Sequence, residues 1–362
     1  MAPRRLILVV PGEIGTRTGG YEYDRQIIAG LRARGWDVSI VSLPGAYPWP
    51  SETDRAEADH ALASIPDASL VVGDGLAFGA LPGELARHRD RLTLIALVHH
   101  PLGLETGLSP EQAAQLDTCE RRALASVRMV VVTSRLTVDA VCALGVERRR
   151  IGVVEPGTRR APLAGASSPG APTRLLCVAS VVPRKGHAVL FDALSTLTDL
   201  PWRLECVGST QRDPGLAEAL RRQVAIDGLT ERIAFVGELE GSALESAYAA
   251  ADLFVFPTRY EGYGMVVAEA LARGIPVVST PTGAIADLLG GDDPAGRLVP
   301  PDHAAALAET LRDLMTDRSA LASLRAAALR ARDRLPTWAE ASRRFESVLD
   351  DSAELDDAAD QR

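Results

Sequence analysis

Short apolar runs that alternate with helical patterns constrain the fold of this 362-residue chain more than any other feature. Runs without polar alternation are typical of parallel strands covered on both faces, and their alternation with helices predicts βαβ units. Helical patterns lie at about 23–34 and 110–126. Residues 1–160 are therefore predicted to form a Rossmann-like domain, with strands at Leu6–Val10, Val38–Leu43, Leu70–Val72, Leu92–Val98 and Met129–Thr133.

The same alternation restarts after residues 161–173, which are rich in Pro, Gly, Ala and Ser and have no periodicity. Such a segment is typical of a linker, so residues 174–337 are predicted to form a second Rossmann-like domain. We expect a final helix at 338–349 to pack back on the first domain, and residues 350–362 to form an acidic disordered tail. The predicted strands of the second domain are Leu175–Ala179, Arg203–Val207, Ile233–Val236, Leu253–Phe256 and Pro276–Ser279.

The net charge of −9 argues against nucleic acid as the main partner, because a basic surface is needed to release its counterions. The arginine clusters 121–122 and 148–150 leave room for a peripheral membrane contact, although solvated faces explain them more simply. The four cysteines have no C-x-x-C spacing and fit a reducing cytoplasm. The apolar run after Arg4 and Arg5 is too short for a signal segment or a membrane span.

Lys185 is the only lysine among 39 Lys and Arg residues, and it follows Arg184 directly after a predicted strand. An ammonium group is a compact point charge with three rotatable donors, which suits a phosphate oxygen approached from several directions. The pair is therefore interpreted as an anion site. A lysine left by chance on a surface turn is the simpler alternative.

A second candidate site lies at the predicted strand 253–256, which leads through a Gly-rich turn into a helix. Glycines at such a turn let the backbone approach a ligand, and the helix N-terminus attracts phosphate. Glu261 precedes the turn and Glu269 lies in the helix, so each is placed to bind a different hydroxyl-bearing group, such as a sugar and a ribose. A solvated carboxylate is the alternative for Glu269, but its apolar neighbours make an unpaired charge costly.

Taken together, these segments resemble retaining glycosyltransferases of family 4, the group 1 glycosyl transferases. The resemblance covers nearly the whole chain. It implies a GT-B fold, in which two facing Rossmann-like domains with parallel sheets enclose a deep interdomain cleft. The matching segments are Gly19-Gly20, Val131–Ser134, Val154–Gly157, Val181–His187, Phe235–Gly237 and the E-x7-E element Glu261–Glu269 with its continuation to Val277.

The resemblance also implies a role for each matching residue. Arg184 and Lys185 would bind the donor diphosphate, Glu261 would contact the transferred sugar, and Glu269 would bind the ribose. Gly237 would border the base. The residues that would cradle the sugar and diphosphate are Gly262, Tyr263, Gly264 and the amides of Met265 and Val266, and Gly20 is also expected among the donor-binding residues. Tyr263 stands where the family usually has Phe. Gly157-Thr158-Arg159 stands where the family commonly has Gly-Val-Asp at the crossover between the domains, which leaves contacts of the linker open.

Two histidines end the predicted strand 92–98, and His99 matches the family position that points at the donor sugar and reacting centre. His100 is the rival. Adjacent residues of a strand face opposite ways, so we expect one histidine to reach the site. The other would be packed, or held by Glu105 or Glu120.

The expected reaction moves a sugar from a nucleotide diphosphate, with UDP the first guess and GDP the second, to an unknown small-molecule, lipid-linked or polysaccharide acceptor. His99, Glu261, Lys185 and Arg184 would be the catalytic residues. Because the cations and a helix N-terminus stabilise the leaving diphosphate, no metal and no cofactor are expected. The alternatives are a non-catalytic nucleotide-sugar-binding partner subunit, and an epimerase or phosphorylase of the same fold.

Overall fold

The computed structural model describes residues 4–165, 167, 168 and 170–357, without the side chains of 353–357. Its contacts divide the chain into two units, which consist of residues up to Gly157 together with those from Pro336, and of Thr158–Leu335. The boundary lies three residues before the predicted end of the first domain. Residues 166 and 169 of the predicted linker lie outside the described residues, as do residues 358–362 of the predicted tail.

Unit 1 contains a parallel sheet in the order β2-β1-β3-β4-β5-β6. Its described strands are β1 (Arg5–Pro11), β2 (Asp37–Leu43), β3 (Leu70–Asp74), β4 (Thr93–Val98), β5 (Met129–Val132) and β6 (Ile151–Val153). Its described helices before the crossover are α1 (Gly19–Ala33), α2 (Glu52–Ala63), α3 (Gly75–Phe78), α4 (Pro82–His88), α5 (Pro110–Leu124) and α6 (Arg135–Ala143). Central strands such as β5 are buried along their whole length, which explains their uninterrupted apolar sequences.

Unit 2 contains a second parallel sheet, in the order β12-β11-β10-β7-β8-β9. Its described strands are β7 (Thr173–Val178), β8 (Trp202–Val207), β9 (Ile233–Gly237), β10 (Leu253–Phe256), β11 (Val277–Ser279) and β12 (Gly296–Leu298). Its described helices are α7 (His187–Ser195), α8 (Pro214–Ile226), α9 (Gly241–Ala250), α10 (Met265–Ala272), α11 (Ile285–Leu289), α12 (Ala304–Thr316) and α13 (Arg318–Arg332). The α/β class with two parallel sheets is confirmed, and β6 and β12 are strands that sequence analysis missed.

The last helix, α14 (Trp338–Asp357), belongs to unit 1 and packs on α1. It begins at the predicted residue but ends at Asp357, so the predicted end at Leu349 was wrong. Glu346 links this helix to the end of α1. Its carboxylate accepts hydrogen bonds from Trp36 Nε1 at 3.0 Å and from Arg34 Nε at 2.5 Å. Asp350 also pairs with Arg4, and the buried Ser352 continues the contact beyond the predicted end.

The described part of the predicted linker is fixed to unit 2 by backbone hydrogen bonds. Ala164 N donates to Arg273 O, and Gly165 N donates to Ala249 O, both at 2.9 Å. Ser167 N donates to the Asp252 carboxylate at 2.8 Å. This segment is therefore part of unit 2 and is held on its surface by hydrogen bonds. Over the described residues, none of the helices combines the length and apolarity needed to cross a bilayer.

Candidate functional site

The order of the unit 2 sheet explains why two distant parts of the sequence meet. β7 and β10 are hydrogen-bonded neighbours, although about 75 residues separate them. The chain leaves β7 towards β8 on one side and leaves β10 towards β11 on the other, so the crevice beyond their carboxyl ends is a topological switch point. Lys185 follows β7 and Glu261 follows β10, so both residues are delivered to this crevice.

The predicted charged residues form one cluster there. Lys185 Nζ lies 2.5 Å from Glu261 Oε2, and Arg184 NH1 lies 3.8 Å from the same oxygen. Their side chains are 16%, 17% and 23% exposed for Lys185, Glu261 and Arg184, respectively. Two cations thus share one carboxylate in a half-buried place, and this excess of positive charge favours an anionic ligand.

Burial is the largest influence on the pKa of Lys185 in this cluster. It lowers the pKa of Lys185, the charge of Glu261 opposes the shift, and Arg184 adds to it. Phe256 lies beneath the ammonium group, with Nζ 4.9 Å from the ring centroid. A diphosphate that entered would therefore supply negative charge to a cation that is only partly compensated.

The two loops that carry the charges are bound to each other. Arg259 N donates to Arg184 O at 2.8 Å, and Thr258 Oγ1 donates to the same carbonyl at 3.0 Å. Gly186 has φ +73°, and a Cβ there would meet Pro257 O at 2.0 Å. Only glycine fits this close approach, so the loop after β7 is held against the exit of β10.

Helix α10 supplies the second predicted device. It begins at Met265, directly after Gly264, and its N-terminus has no side-chain cap. An uncapped first turn leaves N–H groups for an anion, and these include the predicted amides of Met265 and Val266. The Tyr263 side chain is 5% exposed and packs on Ala268. Ligand contacts at 262–264 would therefore come from the backbone.

Glu269 has partners that sequence analysis missed. Tyr248 Oη donates to Glu269 Oε2 at 2.8 Å, and Tyr248 is fully buried. Arg273 bonds the Glu269 carbonyl at 2.7 Å, lies over the Tyr248 ring, and donates to both oxygens of Glu245. The carboxylate is thus oriented by the buried Tyr248, whose ring lies under Arg273. Gly237 ends β9 on the same edge of the sheet, two strands from β7.

In unit 1, the two histidines after β4 have different partners. His99 Nε2 lies 3.0 Å from Asp24 Oδ1, whereas His100 Nε2 lies 3.8 Å from Glu105 Oε2. The Glu120 carboxylate accepts a hydrogen bond from Leu102 N at 2.8 Å in the turn that follows. Gly20 packs on the His99 ring, where a Cβ would lie 3.2 Å from Cδ2.

Asp24, Asp74 and His99 also form a group of metal-binding side chains, whose ligand atoms lie within 4.8 Å of one another. The hydrogen bond between His99 Nε2 and Asp24 Oδ1 already uses one atom of each. We therefore interpret this group as a hydrogen-bonded cluster rather than a metal site. Neither Asp24 nor Asp74 was singled out from the sequence.

Comparison with known proteins identifies the family of the second unit. Residues 172–317 match the sequence model of the family described as Glycosyl transferases group 1. The lipopolysaccharide core biosynthesis mannosyltransferase LpsB of Rhizobium meliloti is 37% identical over 153 residues, which are 41% of this chain and 42% of LpsB. The D-inositol 3-phosphate glycosyltransferase of Nocardia farcinica is 30% identical over 307 residues, which are 76% of this chain and 64% of that protein.

The chain thus spans less than two thirds of the length of these curated relatives. Among solved structures, Anabaena Alr3699/HepE in complex with UDP and glucose superimposes with a TM-score of 0.75 at 18% identity, over 95% of this chain and 99% of HepE. This likeness confirms a fold of the GT-B type. The resemblance to group 1 glycosyl transferases, inferred from sequence motifs, is confirmed for the domain at 172–317.

Proposed function

From a glycosyl transferases group 1 domain at 172–317, we propose that the protein is a retaining glycosyltransferase. It transfers a hexose from a nucleotide-diphosphate sugar to an acceptor hydroxyl and needs no metal ion. The observation that carries this proposal is the cluster of Arg184, Lys185 and Glu261 beside the uncapped N-terminus of α10. Cations and free N–H groups in one crevice suit a diphosphate leaving group.

The reaction follows from where charge develops. The bond between the sugar C1 and the diphosphate oxygen breaks, and the sugar becomes oxocarbenium-like as negative charge grows on the diphosphate. Lys185, Arg184 and the first turn of α10 stabilise that charge. The acceptor oxygen bonds C1 on the same face, and its proton passes to the departing phosphate.

Glu261 changes partners in this scheme. In the structure its carboxylate pairs with Lys185 at 2.5 Å. A bound diphosphate provides Lys185 with a stronger anionic partner, so Glu261 becomes available to accept hydrogen bonds from the sugar hydroxyls. Glu269, held by Tyr248, accepts hydrogen bonds from the ribose hydroxyls.

The relatives guide the choice of substrates. HepE was solved with UDP and glucose, which supports UDP as the first nucleotide to test; GDP is the second. LpsB is a mannosyltransferase, so mannose and glucose are the first sugars to examine. The Nocardia relative is named for D-inositol 3-phosphate, which makes phosphorylated polyols the first acceptor class.

A thermal-shift panel tests the donor site. A ligand at a free concentration of about 100 times its Kd stabilises the native state by about 2.7 kcal/mol. The matching nucleotide must therefore raise the melting temperature. UDP, GDP, ADP and dTDP are compared with their monophosphates and sugar conjugates. We expect one diphosphate to raise the melting temperature more than its monophosphate, because the cluster binds the second phosphate.

An equal effect of monophosphate and diphosphate would contradict the assignment of Arg184 and Lys185. The acceptor step is then measured as release of free nucleotide diphosphate that depends on the acceptor. Donor binding without release for any acceptor class would favour a nucleotide-sugar-binding subunit. Turnover that requires added Mg²⁺ or Mn²⁺, or stops with EDTA, would contradict metal independence.

A further inference from the structure

A buried acidic pair surrounds His99 in unit 1. Asp24 lies on α1, Asp74 ends β3, and His99 follows β4, so the three residues meet at the carboxyl ends of neighbouring parallel strands. The Asp24 side chain is fully buried, Asp74 is 5% exposed, and the His99 side chain is 20% exposed. Burying two carboxylates lowers the stability of the fold unless each is paired. A function of this cluster would explain why the fold retains both.

One face of α1 fixes the His99 ring. Gly20, Tyr23 and Asp24 stand at positions i, i+3 and i+4, which lie on the same side of a helix. The Tyr23 ring meets the imidazole edge to face, with centroids 5.2 Å apart, and Gly20 contacts Cδ2. Asp24 Oδ1 accepts from Nε2 at 3.0 Å. The ring plane and one nitrogen are thus set by the helix, which leaves Nδ1 to meet a substrate.

The charges around the ring favour its protonated form. Burial alone would lower the pKa of His99, but the charge and hydrogen bond of Asp24, together with the charge of Asp74, raise it. Burial and the charge of Asp24 also raise the pKa of Asp74 to about 6. The charged and titratable groups that face the ring are therefore Asp24, Asp74 and the phenol of Tyr23, whose own pKa is raised by burial.

We propose that Asp24 is a positioning residue, which orients His99 and keeps its ring charged so that Nδ1–H is a fixed hydrogen-bond donor to an oxygen of the transferred sugar. Asp74 supports the same charge from the end of β3. This inference rests on the proposed glycosyl transfer. Its chemical consequence is that the reaction needs the imidazolium form and loses rate as pH rises through the pKa of His99.

The chain contains a matched pair that lacks this function. His88 Nε2 lies 3.0 Å from Asp59 Oδ1, the same distance as in the proposed pair. Arg91 Nε donates to His88 Nδ1 at 3.1 Å, so both nitrogens of that ring already have protein partners. The ring is held between α2 and α4 and has no nitrogen left for a substrate. Asp59→Asn is therefore the control for Asp24→Asn.

The test combines two measurements on the full chain. NMR follows the titration of His99, which is assigned with His99→Gln, and steady-state kinetics follow kcat against pH. An opposite charge within about 4–6 Å shifts a pKa by about 1–3 units, so Asp24→Asn should move the titration and the falling limb of kcat to lower pH by at least about one unit. Asp59→Asn should move neither.

A double mutant separates positioning from general structure. If Asp24 acts through His99, Asp24→Asn in the His99→Gln background should cost less than about twofold in kcat, although it costs much more in the wild type. An equal loss in both backgrounds would overturn the proposal. Unchanged titration of His99 in Asp24→Asn would also overturn it, as would displacement of the His99 resonances by added Mg²⁺ or Mn²⁺.

The NMR measurement needs no substrate, so the two proposals fail separately. A shifted titration in a protein that transfers no sugar would leave the positioning intact and contradict the function. Sugar transfer by a protein in which Asp24→Asn leaves the His99 titration unshifted would support the function and contradict the positioning role of Asp24. If Asp24→Asn does not fold, Asp74→Asn takes its place, with a smaller shift expected in the same direction, and an unshifted titration there overturns the proposal.

Discussion

The two units place opposite kinds of charge at the same edge of the same kind of sheet. In unit 2, Arg184 and Lys185 outnumber Glu261, and all three side chains keep 16–23% of their surface exposed. In unit 1, Asp24 and Asp74 outnumber His99, and both carboxylates are almost fully buried. The first cluster is suited to receive an anion, whereas the second is suited to hold one imidazole ring.

The difference shows how burial changes the use of a charge. A half-buried cation can exchange one anionic partner for another when a ligand arrives. A fully buried carboxylate must be satisfied by the protein itself, so it acts through the group it bonds. We therefore expect substitutions in unit 2 to change ligand binding directly, and substitutions in unit 1 to act through His99 or through stability.

Lys185→Ala should have the largest effect. Loss of one charge-stabilising donor typically costs about 10²–10³ in rate, and we expect a loss of that size in kcat/KM without loss of the fold. The same variant should lose the rise in melting temperature caused by the nucleotide diphosphate. Wild-type turnover in Lys185→Ala would break the comparison, because the basic cluster would then have no role in the reaction.

Two controls accompany this variant. Arg222→Ala removes a cation from the exposed face of α8, where it pairs with Glu218, and should leave turnover unchanged. Lys185→Arg keeps the charge but replaces a compact ammonium with a planar fork. An intermediate loss in Lys185→Arg would indicate that the shape of the donor group matters as well as its charge.

Tyr248→Phe should have a smaller effect, on donor binding. The phenol donates to Glu269 at 2.8 Å, and hydrogen bonds to charged groups contribute about 1.5–3 kcal/mol. We expect about a tenfold rise in KM for the donor, with kcat nearly unchanged, because the carboxylate loses its orientation but remains present. Tyr47→Phe, in unit 1, is the matched control. A fall in kcat at constant KM would assign Tyr248 to the reaction step instead.

Glu120→Gln should have the smallest effect, and it concerns stability alone. Burial raises the pKa of Glu120 to about 8. Between its ordinary pKa and about 8, the unfolded chain has released a proton that the folded chain retains, so stability falls as pH rises through this range. Below the ordinary pKa, the carboxyl is neutral in both states and this loss is absent.

The glutamine variant cannot ionise, and its amide oxygen can still accept from Leu102 N. Differential scanning calorimetry should therefore find a melting temperature above that of the wild type by roughly 5 °C at pH 8, with a difference that shrinks towards pH 5. Glu218→Gln, at an exposed position, should behave like the wild type at every pH. A difference that is constant with pH would exclude burial of charge as its cause.

Much of the fold was predictable because parallel strands buried on both faces have uninterrupted apolar sequences. This is why β1, β4 and β10 were placed within about two residues of their ends. β6 and β12 were missed because each is a three-residue strand at one edge of its sheet and is only partly buried, whereas β11, which also has three residues, is buried throughout and was predicted. The end of α14 was missed because a run of acidic residues was interpreted as a solvated tail, although Asp350 pairs with Arg4.

The candidate residues also differ in whether the local sequence indicates their role. Lys185, Glu261 and Glu269 stand in compact segments beside strands, so local sequence indicated their chemistry. Asp24 lies within a helical pattern and Asp74 ends a short strand, and neither has a local signal that separates it from a solvated carboxylate. Their importance comes only from the order of β1, β3 and β4 in the sheet.

The return of α14 to unit 1 has a consequence for biosynthesis. Residues 158–335 are synthesised as one continuous stretch, and the last strand of their sheet, β12, ends about 40 residues before α14 begins. This sheet can therefore form before α14 is available. Trp36 and Arg34, near the end of α1, meanwhile lack Glu346, the partner that arrives about 310 residues later. The half of the protein that begins synthesis first is thus the half that matures last, and a chain that stops early would release a finished second unit beside an unfinished first one.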